Sequence, residues 1–327
     1  MRGALVLALC LLAGPAFAEE PPRLSLPLDC AIGIDCAILQ YADLAPGPGA
    51  LDRACGPLSY DGHGGTDFYL LRLDLLQAGV PVLAAAAGEV RAVRDGMADR
   101  SVLLGGREEI SGRRAGNSVV LDHGGGWETQ YAHLRQGSVA VAPGERVAAG
   151  QRLGLIGLSG DSGLPHLHFT LRSNGTTFDP FTGEPLDAGC QVEGKGLWSA
   201  EAAAALPYLE TGPWDAGFAT EAADNLKAQT GGYARTRLAA HSPALVFWAY
   251  AWGVQEGDRE RIRLLGPDGG VLAEAEEEID RGRLLQQRFV GRKRPDGGWP
   301  AGIFRGEYSL LRDGRTLFTT LREIRRD

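Results

Sequence analysis

Long apolar runs and positive charge are both scarce in this sequence. After the first 18 residues, no uncharged apolar stretch reaches the roughly 20 residues that a transmembrane helix needs. Lysine and arginine number 33 against 41 aspartates and glutamates, and the formal net charge is −8. These absences argue against a transmembrane segment in the mature chain. They also argue against a nucleic-acid partner, which needs a basic surface, and against charge-driven binding to anionic lipid.

The first 18 residues are different, because they have the pattern of a secretory signal peptide. Met1-Arg2-Gly3 is a basic start, Ala4 to Ala13 is apolar, and Ala16-Phe17-Ala18 ends the segment with small residues around one large one. We therefore expect cleavage after Ala18 and export. The periplasm of a Gram-negative cell is the expected destination.

Cysteine is also scarce in the part that remains. Cys30, Cys36, Cys55 and Cys190 are left, and none of them has the C-x-x-C spacing of common zinc sites. An even number of cysteines in an oxidising compartment favours two disulfides, for which three connectivities exist. We predict Cys30–Cys36, which closes a small loop, and Cys55–Cys190, which ties the start of the main domain to its end.

Glycine and proline, by contrast, are abundant and indicate a mainly β fold. The chain has 47 glycines and 18 prolines, so it must contain many turns. We divide it into a signal peptide (1–18), a lead-in segment (19–54), a main β domain (55–199), a helical linker (200–243) and a β-sandwich accessory domain (244–327).

Two stretches support this division. After residue 243, strands of roughly ten residues alternate with turns such as Pro267-Asp268-Gly269-Gly270, which predicts a small immunoglobulin-like sandwich. Within the main domain, residues 95–117 are charged and rich in glycine, and we expect them to be a long surface loop inserted in a hairpin.

The stretch from Leu164 to Leu171 carries two of the six histidines of the chain. It has the composition of a strand after its opening proline, so His166 and His168 should point to the same face, about 6.6 Å apart. Two imidazoles placed in this way form a metal site, a catalytic pair or both. Taken alone, the H-x-H pattern equally fits two partly exposed strand histidines.

Three further side chains could join this pair. His63 and Asp67 flank a glycine-dense loop, and with one strand histidine they would give a three-ligand zinc centre with an open fourth position, typical of catalytic zinc. Taken alone, they fit a turn with an Asx hydrogen bond. His133 ends a strand and should share a face with Tyr131; taken alone, it fits a structural histidine.

The remaining two histidines have simpler interpretations. His123 precedes three glycines at a strand end, and we expect its ring to hydrogen-bond to the backbone. His241 has no partner nearby in the sequence and is interpreted as a surface residue.

Together the motifs resemble those of one family. His63-Gly64-Gly65-Thr66-Asp67, Tyr131-Ala132-His133-Leu134 and His166-Leu167-His168, in this order, look like the motifs of the lysostaphin-type zinc endopeptidases, which cut bacterial cell-wall peptides. The resemblance covers about residues 55–182. It implies a lysostaphin-like antiparallel β-sheet peptidase domain ahead of the sandwich, and it says nothing specific about residues 200–327.

Carried over residue by residue, the resemblance implies a role for each site residue. His63, Asp67 and His168 become the ligands of Zn²⁺, and His133 and His166 become the catalytic pair. A zinc-activated water would attack the amide, and the two histidines would move its proton and stabilise the oxyanion.

The implied function is hydrolysis of amide bonds in the peptide cross-links of peptidoglycan. A cell-wall enzyme could be a partner through the C-terminal domain. The alternative is a non-catalytic regulator or binding module that acts on a partner cell-wall hydrolase, because some relatives have lost the ligands and only activate other enzymes.

Overall fold

The structure is a computed structural model that describes residues 20–105, 110–229, 231–233 and 237–327. The predicted signal peptide lies outside the described residues. Among those described, no helix combines the length and the apolar character needed to cross a membrane.

The described residues form 17 strands, three short α-helices and short 3₁₀ turns. The first ten strands are β1 (Cys36–Gln40), β2 (Thr66–Leu70), β3 (Pro81–Leu83), β4 (Gly88–Arg94), β5 (Asn117–Asp122), β6 (Trp127–Leu134), β7 (Arg146–Val147), β8 (Arg152–Leu155), β9 (His166–Ser173) and β10 (Thr176–Phe178). The later strands are β11 (Gly212–Ala219), β12 (Ala244–Val254), β13 (Arg259–Leu265), β14 (Val271–Glu278), β15 (Arg283–Lys293), β16 (Gly302–Arg312) and β17 (Arg315–Arg326). The helices are α1 (Asp74–Ala78), α2 (Ala200–Ala205) and α3 (Asn225–Gln229).

The main domain is built on one antiparallel sheet. Its strand order is β1-β2-β9-β6-β5-β4-β7, with β10 paired to β9, while β3 and β8 form a separate two-stranded sheet. The predicted H-x-H strand is β9, and it lies between β2 and β6. Because β2 follows the His63 loop and β6 carries His133 next to its last residue, this order brings the three distant motifs together.

The lead-in segment contributes more to the sheet than its sequence indicated. β1, which lies within it, pairs antiparallel with β2 and forms one edge of the main sheet. Cys36 to Leu39 are buried. This short strand has four apolar residues in succession and therefore lacks the alternation that marks a half-exposed strand.

The C-terminal strands form the predicted sandwich. One sheet has the order β11-β12-β15 and the other β14-β13-β16-β17, and Phe247, Ile262 and Tyr308 from the two sheets meet in one buried core. In the constant-type immunoglobulin arrangement the fourth strand joins the sheet of the first. Here the fourth strand of the sandwich, β14, pairs with the third, β13.

The prediction of a helical linker over residues 200–243 was wrong in part. The linker does contain α2 and α3, but β11 lies between them and pairs with β12 as a strand of the sandwich. Ala216 and Phe218 point into the sandwich core, whereas Trp214 lies at an irregularity in the β11–β12 register and joins the buried cluster of the main sheet. Gly212, Pro213 and Gly217 gave the segment the composition of a turn, and the irregularity interrupts the period-two pattern of a strand.

The sandwich and the main domain share apolar packing. Trp214, Tyr250 and Trp252 belong to the same buried cluster as the core of the main sheet. The indole Nε1 of Trp214 donates to the carbonyl oxygen of Leu70 at 2.8 Å.

Both predicted disulfides are confirmed. Cys30 bonds to Cys36, and Cys55 bonds to Cys190 across a sequence separation of 135 residues. The second bond joins the segment just before the His63 loop to the end of the main domain.

Candidate metal centre

Asp67 and His168 form the base of the site. They are paired residues in the β2–β9 ladder, so their side chains leave the same face of the sheet. Asp67 Oδ1 lies 2.7 Å from His168 Nδ1. The other ring nitrogen of His168, Nε2, lies 3.0 Å from the Thr170 hydroxyl, which leaves Nδ1 for the centre.

His63 reaches the same point from the loop before β2. Its Nε2 lies 3.2 Å from Asp67 Oδ1 and 3.2 Å from His168 Nδ1, while its Nδ1 donates to the carbonyl oxygen of Tyr41 at 2.6 Å. Gly65 makes this approach possible, because a Cβ there would lie 2.8 Å from the His168 ring and 2.5 Å from the Phe169 carbonyl oxygen.

The three donors fit a zinc ion. His63, Asp67 and His168 each offer one ligand atom, and these atoms lie within 4.8 Å of one another. Tetrahedral zinc with bonds of about 2.0–2.1 Å needs donors about 3.3 Å apart, close to the separations found here. Two imidazoles and one carboxylate are also a donor set that zinc accepts, and they leave a fourth position open.

The electrostatics of the cluster keep Asp67 ionised, as a ligand must be. Burial works to raise the pKa of Asp67, but the charges of His63, His166 and His168 outweigh it and hold that pKa well below its ordinary value. Burial works to lower the pKa of His63, but the charge of Asp67 and hydrogen bonds to Asp67 and Tyr41 raise it.

His133 and His166 stand beside this cluster as a pair. Their ring centroids are 4.6 Å apart, and His166 Nε2 lies 3.7 Å from Asp67 Oδ2. The Nδ1 atoms donate to backbone carbonyl oxygens, that of His133 to Ser159 and that of His166 to Leu164, both at 2.8 Å. Each ring therefore keeps Nε2 as its free proton acceptor.

Burial sets the protonation state of the pair. It lowers the pKa of His166 and, more strongly, that of His133, where the neighbouring His166 and His168 act in the same direction. Both rings are therefore neutral at pH 7, as proton acceptors must be.

The expectation that His133 shares a face with Tyr131 was wrong. Tyr131 pairs with Phe169 and points into the core, where its hydroxyl accepts a hydrogen bond from the Ala85 amide at 2.7 Å. His133 has a left-handed backbone with φ 62°, which breaks the alternation of β6 and turns its ring toward His166. Periodicity does not predict such a local reversal, which fits the strain often found at functional sites.

Two aromatic contacts to the site went unrecognised in the sequence. Tyr69 stacks on His166 with centroids 4.6 Å apart, and Tyr60 stacks on His63 at 4.4 Å. The contact of Tyr69 could have been predicted from the sequence, because Tyr69 stands two residues after Asp67 on the same strand face. The contact of Tyr60 could not, since Tyr60 lies in a loop.

The two remaining histidines lie where they were expected. His123 Nδ1 donates to the Ala87 carbonyl oxygen at 2.7 Å, and its Nε2 lies 2.8 Å from the Thr129 hydroxyl. His241 is exposed.

The comparison with known families agrees with this geometry. Residues 62–180 match the model of Peptidase family M23. Residues 62–180 form an M23 peptidase domain of the lysostaphin-like family. All five residues of the centre lie within it.

Similar proteins include both enzymes and an activator. This chain is 34% identical over 109 residues to peptidoglycan DD-endopeptidase ShyA of Vibrio cholerae, covering 33% of this chain and 20% of that protein. It is 33% identical over 128 residues to DD-carboxypeptidase/endopeptidase Mpg of Neisseria meningitidis, covering 39% and 26%. It is also 33% identical over 110 residues to murein hydrolase activator EnvC of Escherichia coli, covering 34% and 24%. The chain thus spans about a quarter or less of the length of these relatives.

Among solved structures, the catalytic domain of lysostaphin from Staphylococcus simulans matches with 27% identity and a TM-score of 0.28. That match covers 43% of this chain and 86% of the lysostaphin domain.

Proposed function

We propose that this protein is an exported zinc metalloendopeptidase that hydrolyses amide bonds in the peptide cross-links of peptidoglycan. The observation that carries the proposal is the convergence of His63, Asp67 and His168 on one point, with His133 and His166 beside it. Such a three-donor centre next to neutral proton acceptors suits amide hydrolysis.

In this proposal the metal and the histidines divide the work. A zinc ion held by His63, Asp67 and His168 would supply Lewis acidity toward the scissile carbonyl and the attacking water. The Nε2 atoms of His133 and His166 accept a proton from the attacking water and return one to the leaving amine. Their Nδ1 bonds to backbone carbonyls fix both the tautomer and the direction of each ring.

Substrate and location are proposed by likeness to the relatives. ShyA is named a peptidoglycan DD-endopeptidase, and Mpg is named a DD-carboxypeptidase/endopeptidase. Two disulfides suit an oxidising compartment such as the periplasm, to which the predicted signal peptide would direct the chain. We further propose that residues 55–199 are the catalytic domain and that residues 244–327, together with β11, form an accessory domain able to dock a cell-wall enzyme.

The competing function is that of a regulator that binds a partner hydrolase without turnover, which the similarity to EnvC favours. Retention of all three donor residues favours the enzyme instead. Zinc content and hydrolysis, measured on the same preparations, decide between the two.

The test uses the chain without residues 1–18, as wild type and as His168→Ala, His166→Ala and His241→Ala. We expect wild type to bind one zinc and to release fragments from purified sacculi. His168→Ala should lose zinc and activity, and His166→Ala should keep zinc but lose activity. The exposed His241→Ala should match wild type. Zinc-loaded wild type that releases no fragments would establish the regulator.

A further inference from the structure

Two loops at the rim of the site are packed backbone against backbone. Asp161 N donates to the Arg114 carbonyl oxygen at 2.8 Å. A Cβ at Gly160 would lie 2.4 Å from that oxygen, and a Cβ at Gly116 would lie 2.4 Å from the Ser159 carbonyl oxygen. Only glycines allow this contact, so segments 114–116 and 159–162 form one unit.

This unit holds both catalytic histidines. The amide of His133 donates to the Ala115 carbonyl oxygen at 2.9 Å, and the Ser162 hydroxyl lies 3.1 Å from His166 Nδ1. Arg114 is therefore next in sequence to Ala115, which contacts His133. Asp161 is next in sequence to Ser162, which contacts His166.

The side chains of Arg114 and Asp161 form an ion pair on this unit. Arg114 Nε donates to Asp161 Oδ2 at 3.0 Å. The Asp161 side chain is 12% exposed and the Arg114 side chain 76% exposed. Among the described residues, the hydrogen bond between Arg114 and Asp161 is made by Nε and not by the Nη atoms. The carboxylate thus holds the guanidinium by one edge and leaves the other edge to solvent.

We propose that Arg114 binds a carboxylate of the peptide substrate and makes the site selective for acidic peptides. A guanidinium with an open edge pairs bidentately with a carboxylate, and the stems of peptidoglycan peptides carry free carboxylates at their termini and within the chain. In a chain of net charge −8, a fixed cation beside the catalytic pair attracts the anionic substrate. This inference rests on the proposed endopeptidase function.

The test compares wild type, Arg114→Gln and Arg114→Lys, with Arg146→Gln as control. Arg146 is also an exposed arginine paired with a carboxylate, that of Glu89, but it lies on β7, the far edge strand of the sheet. The substrates are synthetic cross-linked peptides in three forms: with all carboxylates free, with the terminal carboxyl amidated, and with the internal carboxyl amidated. Circular dichroism and zinc content verify that each variant is folded and loaded.

One of the two amidated peptides lacks the carboxylate that Arg114 contacts. On that peptide, wild type and Arg146→Gln should have a kcat/KM about tenfold to a hundredfold lower than on the free acid, because KM rises. Arg114→Gln should have the same low kcat/KM on the free acid as on that amidated peptide. Arg114→Lys should restore part of the difference in kcat/KM between the acid and the amide. The amidated form that wild type rejects identifies the carboxylate.

A binding measurement tests the role of Arg114 independently of catalysis. Calorimetric titration of the same peptides into the zinc-loaded proteins measures acid–amide discrimination even if no bond is cut, in which case the endopeptidase proposal fails alone. Equal binding of acid and amide forms by wild type, no binding of any form, or the same discrimination in Arg114→Gln would overturn the role of Arg114. A loss in Arg114→Gln that is equal for acid and amide would mean that the ion pair only links the two loops.

Discussion

Asp67 and His168 face each other across the β2–β9 ladder, with 2.7 Å between Oδ1 and Nδ1. The pairing register of the sheet therefore fixes the positions of two of the three proposed metal donors. The third, His63, is placed by a hydrogen bond to Tyr41, a residue just beyond β1. The centre is thus anchored on both sides by the sheet that carries it.

We predict that zinc stabilises the wild-type fold but not that of Asp67→Asn. The asparagine amide lacks the negative charge that the Asp67 carboxylate offers to zinc, and Asp67 contacts both histidine donors. Zinc at a hundred times its Kd should stabilise wild type by about 2.7 kcal/mol and raise Tm by roughly 5–10 °C. Scanning calorimetry with zinc and with a chelator measures this shift, and an equal shift in Asp67→Asn would contradict the ligand assignment.

We predict that Asn117→Ala keeps zinc but lowers kcat by tenfold or more. The buried Asn117 amide donates to the carbonyl oxygens of Leu134 and Met97, and its backbone N–H donates to the Ser159 hydroxyl. The substitution removes the two side-chain bonds, and the one to Leu134 holds the residue next to His133. Its loss should displace the His133 ring, and a displacement of about 1 Å costs roughly a hundredfold in rate. Unchanged kcat with intact zinc content would show that His133 needs no such support.

The sequence predicted most of this centre, and the reasons are local. The H-x-H spacing requires a common face once the segment is a strand, and the glycines around His63 exclude a helix. The left-handed conformation of His133 and the stacking of Tyr60 depend on loops that are distant in sequence, and no periodicity encodes them. β11 was missed for a related reason: its register is irregular between Pro213 and Ala216, and its glycines and proline give it the composition of a turn.

We predict that His123 makes the folded state sensitive to mild acid. Burial lowers the pKa of its ring below the usual 6.5, against the opposing hydrogen bond to Ala87. Below pH 6.5 the unfolded chain takes up a proton at this ring that the folded chain does not. This contribution to stability is therefore complete above pH 6.5 and declines as the pH falls toward the lowered pKa.

Urea unfolding of zinc-loaded wild type and His123→Gln between pH 5 and 7.5 measures this effect. The variant should be less stable at pH 7.5, and its free energy of unfolding should fall less steeply with acid. Parallel pH curves would assign the acid sensitivity to other groups.

We predict that the two disulfides contribute very unequally to stability. Cys55–Cys190 closes a loop with a sequence separation of 135 residues, and Cys30–Cys36 closes one of 6. In the chain-entropy model this difference amounts to about 3 kcal/mol in favour of the longer loop. The test replaces each cysteine pair by serines and measures the difference between the two losses in the free energy of unfolding. The Cys30–Cys36 variant is the matched control.

The final prediction concerns the junction between the main domain and the sandwich. Trp214 is 2% exposed, and it donates to Leu70 on β2, the strand that also carries Asp67. Trp214→Ala should destabilise the protein by about 3–5 kcal/mol, and Trp214→Phe, which mainly loses the donor, by about 1–3 kcal/mol.

Trp299 provides the control, because its indole is equally buried but donates to Ser242 within the sandwich. If the junction couples the two parts, Trp214→Ala should lower the unfolding midpoint of the main domain, monitored by release of zinc in urea. Trp299→Ala should lower mainly that of the sandwich. An unchanged zinc-release midpoint in Trp214→Ala would mean that the main domain holds its metal centre without the sandwich. The contact between Trp214 and β2 would then not stabilise the position of Asp67.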